Sequence, residues 1–186
     1  MKPVEGYNEA QAFTGESMQL PAGLYVCQIK MAIEEERKGK RLIAIAYEIA
    51  EGEYKGFFQK KYDADKNPDK KWPGIHRQQM EGDSLPFFKG LMTSIEESNP
   101  GYHWNWDENT LAGKRFGAIM GREEFRTSDG QKKMATKLRY IRSVEGLKNA
   151  TIPEDKLLTE SKGTSNQNMP PTGGFPTDAD CPPNLW

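Results

Sequence analysis

The chain has 186 residues, of which 28% are charged, 35% hydrophobic and 10% aromatic, and its formal net charge is -1. This length suits one domain with appendages. No apolar run reaches the roughly 20 residues of a membrane span, and the polar N-terminus predicts no signal peptide. Cys27 and Cys181 are expected to be free thiols in a reducing cytosol.

The first half of the chain predicts a meander of three strands. Residues 1–19 lack periodicity and are expected to form an extended arm. Alternating apolar residues then predict two half-buried strands separated by a polar turn. The apolar face of the first strand carries Tyr25, Cys27, Ile29, Met31 and Ile33. The apolar face of the second carries Ile43, Ile45, Tyr47 and Ile49, so Tyr47 is assigned to the core.

A third strand is predicted over 55–63, where one of Phe57 and Phe58 should face outward because neighbouring strand residues point to opposite faces. Residues 64–83 then form a long polar loop, and loops of this length are uncommon unless they are functional. A helix should begin near Leu85, after a capping Ser84, and end at the sequence Asn-Pro-Gly that follows Ser98.

Two further strands are predicted over 114–125 and 133–143, joined by a Ser-Asp-Gly hairpin turn. Three strands, a helix and two strands are the chain order of the oligonucleotide-binding (OB) fold, a five-stranded, partly open barrel. The sequence thus predicts a mostly β OB domain over 20–153, with a half-barrel or small sandwich as the alternative. Residues 154–186 are rich in Pro, Gly, Ser and Asn and are predicted to be a flexible tail.

Catalytic and cofactor motifs are not found in the sequence. His76 and His103 do not have metal-ligand spacing, and phosphate-binding loops and nucleophile elbows are missing. Asp63, Asp65 and Asp69 are the nearest candidates for a metal site, but the lysines between them oppose cation binding. The sequence therefore favours a binding protein that has no cofactor, and an enzyme such as a nuclease is the least favoured alternative.

Basic and aromatic residues gather on the third strand, the long loop and the last hairpin. A basic groove that tracks phosphates, together with aromatic faces on which bases stack, is how single strands are held. Trp72 is the preferred stacking residue because it lies in a basic loop without apolar neighbours, whereas Trp104 and Trp106 are expected to pack over the open end of the barrel. The candidate nucleic-acid-binding residues are Phe58, Lys60, Lys61, Tyr62, Lys71, Trp72, Arg122, Lys137 and Arg139.

Several strings resemble a family of phage and prophage proteins long known as a domain of unknown function. They are the string from Gly23 to Ile29, the string from Ala46 to Phe58, and the later Leu-Ala-Gly-Lys-Arg-Phe-Gly (111–117), Gly-Arg-Glu-Glu-Phe (121–125) and Ile-Pro-Glu-Asp-Lys (152–156). Members of this family are similar to OB-fold single-stranded DNA-binding proteins. The resemblance implies a sequence-tolerant, non-enzymatic single-stranded DNA-binding protein of phage or prophage origin, working in replication or recombination in the bacterial cytoplasm.

The end of the tail resembles the acidic tip of bacterial single-strand binding proteins, which docks partner enzymes. The resemblance is carried by Asp178, Asp180, Leu185 and Trp186, and it implies replication or recombination proteins as partners. The tip departs from that pattern because it has only two acids and extends past its prolines. The alternative function is an OB-fold interaction module that does not bind DNA. A homo-oligomer is possible in either case.

Overall fold

The structure is a computed structural model that describes residues 19–158; the arm before it and the tail beyond it, with the tip residues Asp178, Asp180, Leu185 and Trp186, lie outside the described residues. The strands are β1 (Gly23–Arg37), β2 (Lys40–Ile49), β3 (Ile75–Gln79), β4 (Arg115–Arg126) and β5 (Lys132–Arg142). The α-helices are α1 (Phe57–Ala64) and α2 (Leu85–Ser98). Short 3-10 turns span Gly82–Ser84, Glu108–Leu111 and Glu145–Asn149.

The five strands form one antiparallel sheet in the order β3-β2-β1-β4-β5, so the protein is mostly β. The central strand β1 pairs with β2 along one side and with β4 along the other. The edge strands β3 and β5 share no ladder within residues 19–158, while α2 contacts β3, β4 and β5. Closure of the sheet into a barrel stays a prediction.

The helix predicted between the third and fourth strands is confirmed as α2. It begins at Leu85 and ends at Ser98, where the side-chain amide of Asn99 donates a hydrogen bond to the carbonyl oxygen of Ile95 (2.7 Å). Its buried apolar stripe packs into the core through Phe88, Leu91, Met92 and Ile95. Neither this helix nor α1 is long and apolar enough to cross a membrane, and α1 and α2 are the α-helices of the described range.

The predicted third strand over 55–63 is wrong, because this segment forms α1. The carboxylate of Glu48, near the end of β2, accepts hydrogen bonds from the backbone N–H groups of Phe58 (3.0 Å) and Gln59 (2.7 Å). A carboxylate stabilises a helix start because the first N–H groups have no partner within the helix. The third strand is instead β3, inside the segment 64–83 that was predicted to be a loop.

Helix α1 buries both of its phenylalanines. Phe57 and Phe58 are 7% and 8% exposed, so the expectation that one of them faces outward is wrong. The ring centroid of Phe58 lies 5.3 Å from that of Tyr47 in an edge-to-face contact. The predicted core position of Tyr47 is confirmed.

Two β-bulges shift the alternation that the sequence predicts. In β1, Lys30 is an extra residue without a partner in β2, and Met31 consequently turns to the exposed side, 40% accessible. In β5, the extra residue is Arg139, so Tyr140 is half exposed while Ile141 packs against the core. Beyond the bulge in β1, the predicted face of Met31 and Ile33 is therefore wrong by one residue.

The chain after β5 packs on the outer face of the sheet, which we define as the side opposite α2 and the core. Two glycines of β4 make room for it: the side chain of Leu147 covers Gly117, and those of Pro153 and Arg139 cover Gly121. Residues 154–158, which were predicted to be tail, pair with β4 through Lys156, whose N–H donates to the carbonyl oxygen of Arg122 (2.9 Å). We call residues 143–158 the strap.

His76 of β3 pairs with Ile45 of β2 and shares its core-facing side, and burial lowers the pKa of His76 to about 4. The unfolded chain, with the ordinary histidine pKa near 6.5, therefore takes up this proton first. The stability contribution of neutral His76 is complete above about pH 6.5 and is lost as the pH falls towards 4. We expect about 2 kcal/mol to be lost between pH 6.5 and 4.5.

Urea denaturation of the parent chain and of His76→Leu at both pH values measures this loss. The variant lacks the titrating group, so its free energy of unfolding should fall about 2 kcal/mol less across the interval. Equal pH dependence of the two chains would contradict the prediction.

Candidate nucleic-acid interface

Trp72 and Tyr62 form an aromatic cluster with two lysines beside the end of β2. The ring centroids of Trp72 and Tyr62 are 5.7 Å apart. The ammonium nitrogen of Lys30 lies 4.6 Å from the centroid of Trp72, and that of Lys70 lies 4.4 Å from the centroid of Tyr62. These cation–π contacts place positive charge directly on the aromatic faces. We refer to these four residues as the aromatic cluster.

Trp72 is anchored rather than free in a loop. Its indole N–H donates a hydrogen bond to the carbonyl oxygen of Tyr47 (3.0 Å), and the ring packs against the core. The expectation that Trp72 has no apolar neighbours is therefore wrong. An anchored and half-buried ring offers a base less area than an exposed ring, but it is already held in one position.

The other predicted residues of this region lie on or near α1. Lys60 and Lys61 are exposed on the helix, Lys71 is half-buried beside Trp72, and Phe58 belongs to the core. Helix α1 therefore places Lys60, Lys61 and Tyr62 within two turns of one another. The buried ring of Phe58 has no exposed face on which a base could stack.

The predicted arginine of β4 is bound by the strap. Two hydrogen bonds join the guanidinium of Arg122 to the carboxylate of Asp155, one of them from Nε to Oδ1 at 3.0 Å. The two side chains are 52% and 35% exposed. Exposed ion pairs contribute only about 0–1 kcal/mol, so a phosphate can replace Asp155 at little cost.

Lys137 and Arg139 flank a single carboxylate, that of Glu123, together with Lys156 of the strap. The ammonium nitrogens of Lys156 and Lys137 lie 3.0 and 3.7 Å from its oxygens. Burial raises the pKa of Glu123, but the three cations outweigh it and hold the pKa below its ordinary value. Nη1 of Arg139 is buried and has no hydrogen-bond acceptor in the part of the chain that the structure describes. We call Glu123, Lys137, Arg139 and Lys156 the basic cluster. It has a surplus of positive charge and one unsatisfied donor.

The two groups of predicted residues do not share one strand pair. Helix α1 packs on β2, on the β3 side of the sheet, whereas the basic cluster lies on β4 and β5 at the opposite edge. A single strand that contacts both groups has to span the intervening strands.

The outer face of β1, β2 and β3 carries an ion-paired row that the sequence analysis missed. Nε of Arg37 and Nε of Arg77 lie 3.0 and 2.8 Å from the same oxygen of Glu35. Their side chains are only 22% and 14% exposed. Two guanidinium groups around one carboxylate leave one net positive charge, held in position by the sheet. We call these three residues the arginine row.

Apolar residues form the floor beside the arginine row: Met31 is 40% exposed and Ile33 and Ile75 are half-buried, whereas Ala44 and Ala46 beneath them are 1% and 8% exposed. Ala44 and Ala46 of β2 point to the outer face, because Ile43 and Ile45 between and beside them point to the core. Ala44 pairs with Ile33 on one side and with Arg77 on the other. The next row towards the aromatic cluster is Met31–Ala46–Ile75, and Lys30 adjoins it. The strip therefore runs from two arginines, over an apolar floor, to two lysine-covered rings.

The candidate residues predicted from the sequence do not include Arg37, Arg77 or Lys30. The available signal was the spacing of Glu35 and Arg37, which places both on one face of a strand. Arg77 could not be added without the register between β2 and β3.

Two further predictions from the sequence concern a metal site and the packing of Trp104 and Trp106. No group of three histidine, cysteine or acidic side chains within residues 19–158 is arranged to hold a metal ion, and this includes Asp63, Asp65 and Asp69. Of the two tryptophans expected to pack over the barrel end, Trp104 does pack against the core, whereas Trp106 is 72% exposed.

Comparison with known proteins gives no assignment: no family model and no curated protein matches this chain.

Proposed function

We propose that this protein is a non-catalytic, sequence-tolerant single-stranded DNA-binding protein of OB type, which serves phage or prophage DNA replication or recombination in the cytoplasm of a bacterial host. The observation that carries the proposal is the strip on the outer face of β1, β2 and β3. It joins the arginine row to the aromatic cluster over an apolar floor.

The strand order supports an OB-type arrangement. The central β1 pairs with β2 and β4, the helix α2 follows β3, and the two sheet edges are both contacted by α2. The OB fold is a partly open five-stranded barrel that binds oligonucleotides on the face of its second and third strands. Arg77, Ile75 and the alanines of β2 lie on that face, and Glu35 and Arg37 of β1 adjoin it.

The chemistry of the strip suits a single strand rather than a duplex. Each base stacked on an aromatic side chain contributes about 1–3 kcal/mol, with little dependence on sequence. Lys30 and Lys70 now cover Trp72 and Tyr62. When a base replaces either ammonium group on its ring, that group is free to pair with the adjacent phosphate.

The basic cluster on β4 and β5 supplies a second contact region. Arg139 has an unsatisfied buried donor, and Lys137 and Lys156 share one carboxylate with it. A phosphate beside Lys137 and Lys156 would balance the surplus charge. The proposal also includes the recruitment of replication or recombination proteins by the C-terminal tail. The residues proposed for this, Asp178, Asp180, Leu185 and Trp186, lie outside the described range.

The test is a tryptophan-fluorescence titration of the full chain with oligo-dT at several salt concentrations. We expect quenching and an affinity that falls as salt rises, with a slope of about -0.7 for each phosphate contacted. Trp72→Phe should lose most of the quenching, whereas the matched control Trp106→Phe should keep it, because Trp106 lies outside the strip. Duplex DNA and RNA of equal length are run in parallel. Absence of both quenching and salt-dependent binding would refute the function.

A further inference from the structure

The first turn of α2 and the loop that packs on this helix carry exposed apolar side chains that neither the core nor the strip uses. Leu85, Phe87 and Trp106 are 49%, 60% and 72% exposed. The ring of Trp106 lies 6.1 Å from that of Phe88 and 6.2 Å from that of Trp104, so it rests on the end of the core with its outer face open. An exposed indole is a candidate interaction site when the helix that it contacts carries two further exposed apolar side chains, here Leu85 and Phe87 of α2.

The backbone is held so that Trp106 points outward. Its φ is 67°, in the left-handed region that bulky residues rarely adopt. Hydrogen bonds on both sides fix this conformation: the N–H of Asp107 donates to Oδ1 of Asn105 (3.3 Å), and the hydroxyl of Thr110 donates to the carbonyl oxygen of Asp107 (2.7 Å). An unfavourable conformation that exposes an indole is kept where the exposed group has a use.

Acidic residues adjoin Trp106, so this surface is unfavourable for DNA. Asp107 and Glu108 follow Trp106 directly, and the carboxylate of Glu96 accepts a hydrogen bond from the N–H of Trp104 (2.7 Å). Across the whole segment 81–111, one lysine stands against six acids: Glu81, Asp83, Glu96, Glu97, Asp107 and Glu108. We call the patch and this rim the Trp106 surface. Its charge requires a basic partner.

The same chain has a basic surface at the hairpin between β4 and β5. This hairpin lies at the end of β4 that is about 35 Å from Arg115, where the chain enters β4 after the Trp106 loop. We call residues 125–133 the hairpin tip. It contains one acid, Asp129, against Arg126, Lys132 and Lys133, which are all exposed, and it includes a half-buried aromatic residue, Phe125.

We infer that the Trp106 surface of one copy binds the hairpin tip of a second copy, so that the protein self-associates head to tail. Within one chain Trp106, Arg126 and Lys133 are all exposed, so neither surface covers the other, and a head-to-tail contact between chains forms an open series unless it closes into a ring. Arg126 or Lys133 would lie on the open face of Trp106 as a cation–π partner. The net charge of -1 adds little overall repulsion. This association goes beyond the proposed function, because it requires no DNA.

Sedimentation velocity of the full chain without DNA tests the inference over a range of protein concentrations at low and high salt. We expect the average sedimentation coefficient to rise continuously with concentration and to fall at high salt. Trp106→Ala and the double variant Asp107→Lys/Glu108→Lys should each weaken association at least tenfold, and Arg126→Glu/Lys133→Glu should do the same. The control Glu53→Lys/Glu145→Lys makes the same charge change away from both surfaces and should associate like the parent.

A charge exchange identifies the two surfaces. Asp107→Lys/Glu108→Lys and Arg126→Glu/Lys133→Glu should each be monomeric alone, yet associate when mixed. In the mixture, the basic Trp106 surface of the first variant can bind the acidic hairpin tip of the second, and the acidic Trp106 surface of the second can bind the basic hairpin tip of the first. Three results would overturn the inference: a monomer at every concentration, a closed dimer that does not grow, or a hairpin-tip variant that associates as the parent does. Oligo-dT binding by the monomeric variants keeps the proposed function separate from this result.

Discussion

Replacing Gly117 with alanine is expected to lower the free energy of unfolding by about 2–3 kcal/mol. A Cβ atom at this position would lie 2.6 Å from Cγ of Leu147 and 2.8 Å from the carbonyl oxygen of Ser143. Real Cβ contacts are not this short, and the second one is with backbone, which cannot rotate away. The strap therefore has to move off the sheet, and the burial of Leu147 is lost with it.

Gly90 provides the matched control for this prediction. It lies inside α2, and a Cβ atom there meets nothing within 4 Å. Gly90→Ala should therefore stabilise the protein by about 0.5–1 kcal/mol, because alanine loses less backbone entropy in a helix. The same Gly→Ala substitution is thus expected to lower the free energy of unfolding at Gly117 and to raise it at Gly90.

Urea denaturation measures both effects, and a double-mutant cycle identifies the cause. Leu147→Ala removes two of the three close contacts at Gly117. Gly117→Ala should consequently cost less in the Leu147→Ala background than in the parent, by an amount above the additivity error of about 0.5 kcal/mol. If the free energy of unfolding of Gly117→Ala lies within 0.5 kcal/mol of that of the parent, the strap packs on the sheet without needing the glycine.

The sequence predicted most of the sheet and failed at one strand, for reasons that lie in distant contacts. The segment 55–63 has two adjacent phenylalanines, and periodicity cannot distinguish a strand from a short helix there. The helix is stabilised by Glu48, a residue of another element. The strand β3, with the sequence Ile-His-Arg-Gln-Gln, has little β propensity of its own and depends on its pairing with β2.

The candidate interface was only partly predictable for a related reason. Composition located the cations by segment, but it did not show that Arg122 binds Asp155 or that Lys137 shares Glu123 with Lys156. The arginine row depends on register, which pairs Ala44 with Arg77. A sequence gives alternation along each strand, whereas a site made across strands requires the register and the bulges.

The arginine row predicts opposite changes in DNA affinity from two neutral substitutions. Arg77→Gln removes one of two cations and should weaken oligo-dT binding about tenfold, equivalent to about 1.4 kcal/mol. Glu35→Gln removes the only carboxylate of the row and should strengthen binding by a similar factor. Both variants should be less stable than the parent, because each breaks a largely buried ion pair (the Glu35 side chain is 8% exposed). Affinity and stability should therefore change in the same direction for Arg77→Gln and in opposite directions for Glu35→Gln.

Neighbouring residues on the other side of the sheet serve as controls. Glu36 follows Glu35 and points to the opposite face, and Arg41 pairs with Glu34 there, Nε to carboxylate oxygen, at 2.6 Å. Glu36→Gln and Arg41→Gln make the same charge changes away from the strip, so they should alter oligo-dT affinity less than twofold. Titrations at several salt concentrations should also give Arg77→Gln a shallower slope, by about 0.7, because one phosphate contact is lost. If the Arg77 and Arg41 variants weaken binding equally, the net charge of the molecule, and not the arginine row, holds the strand.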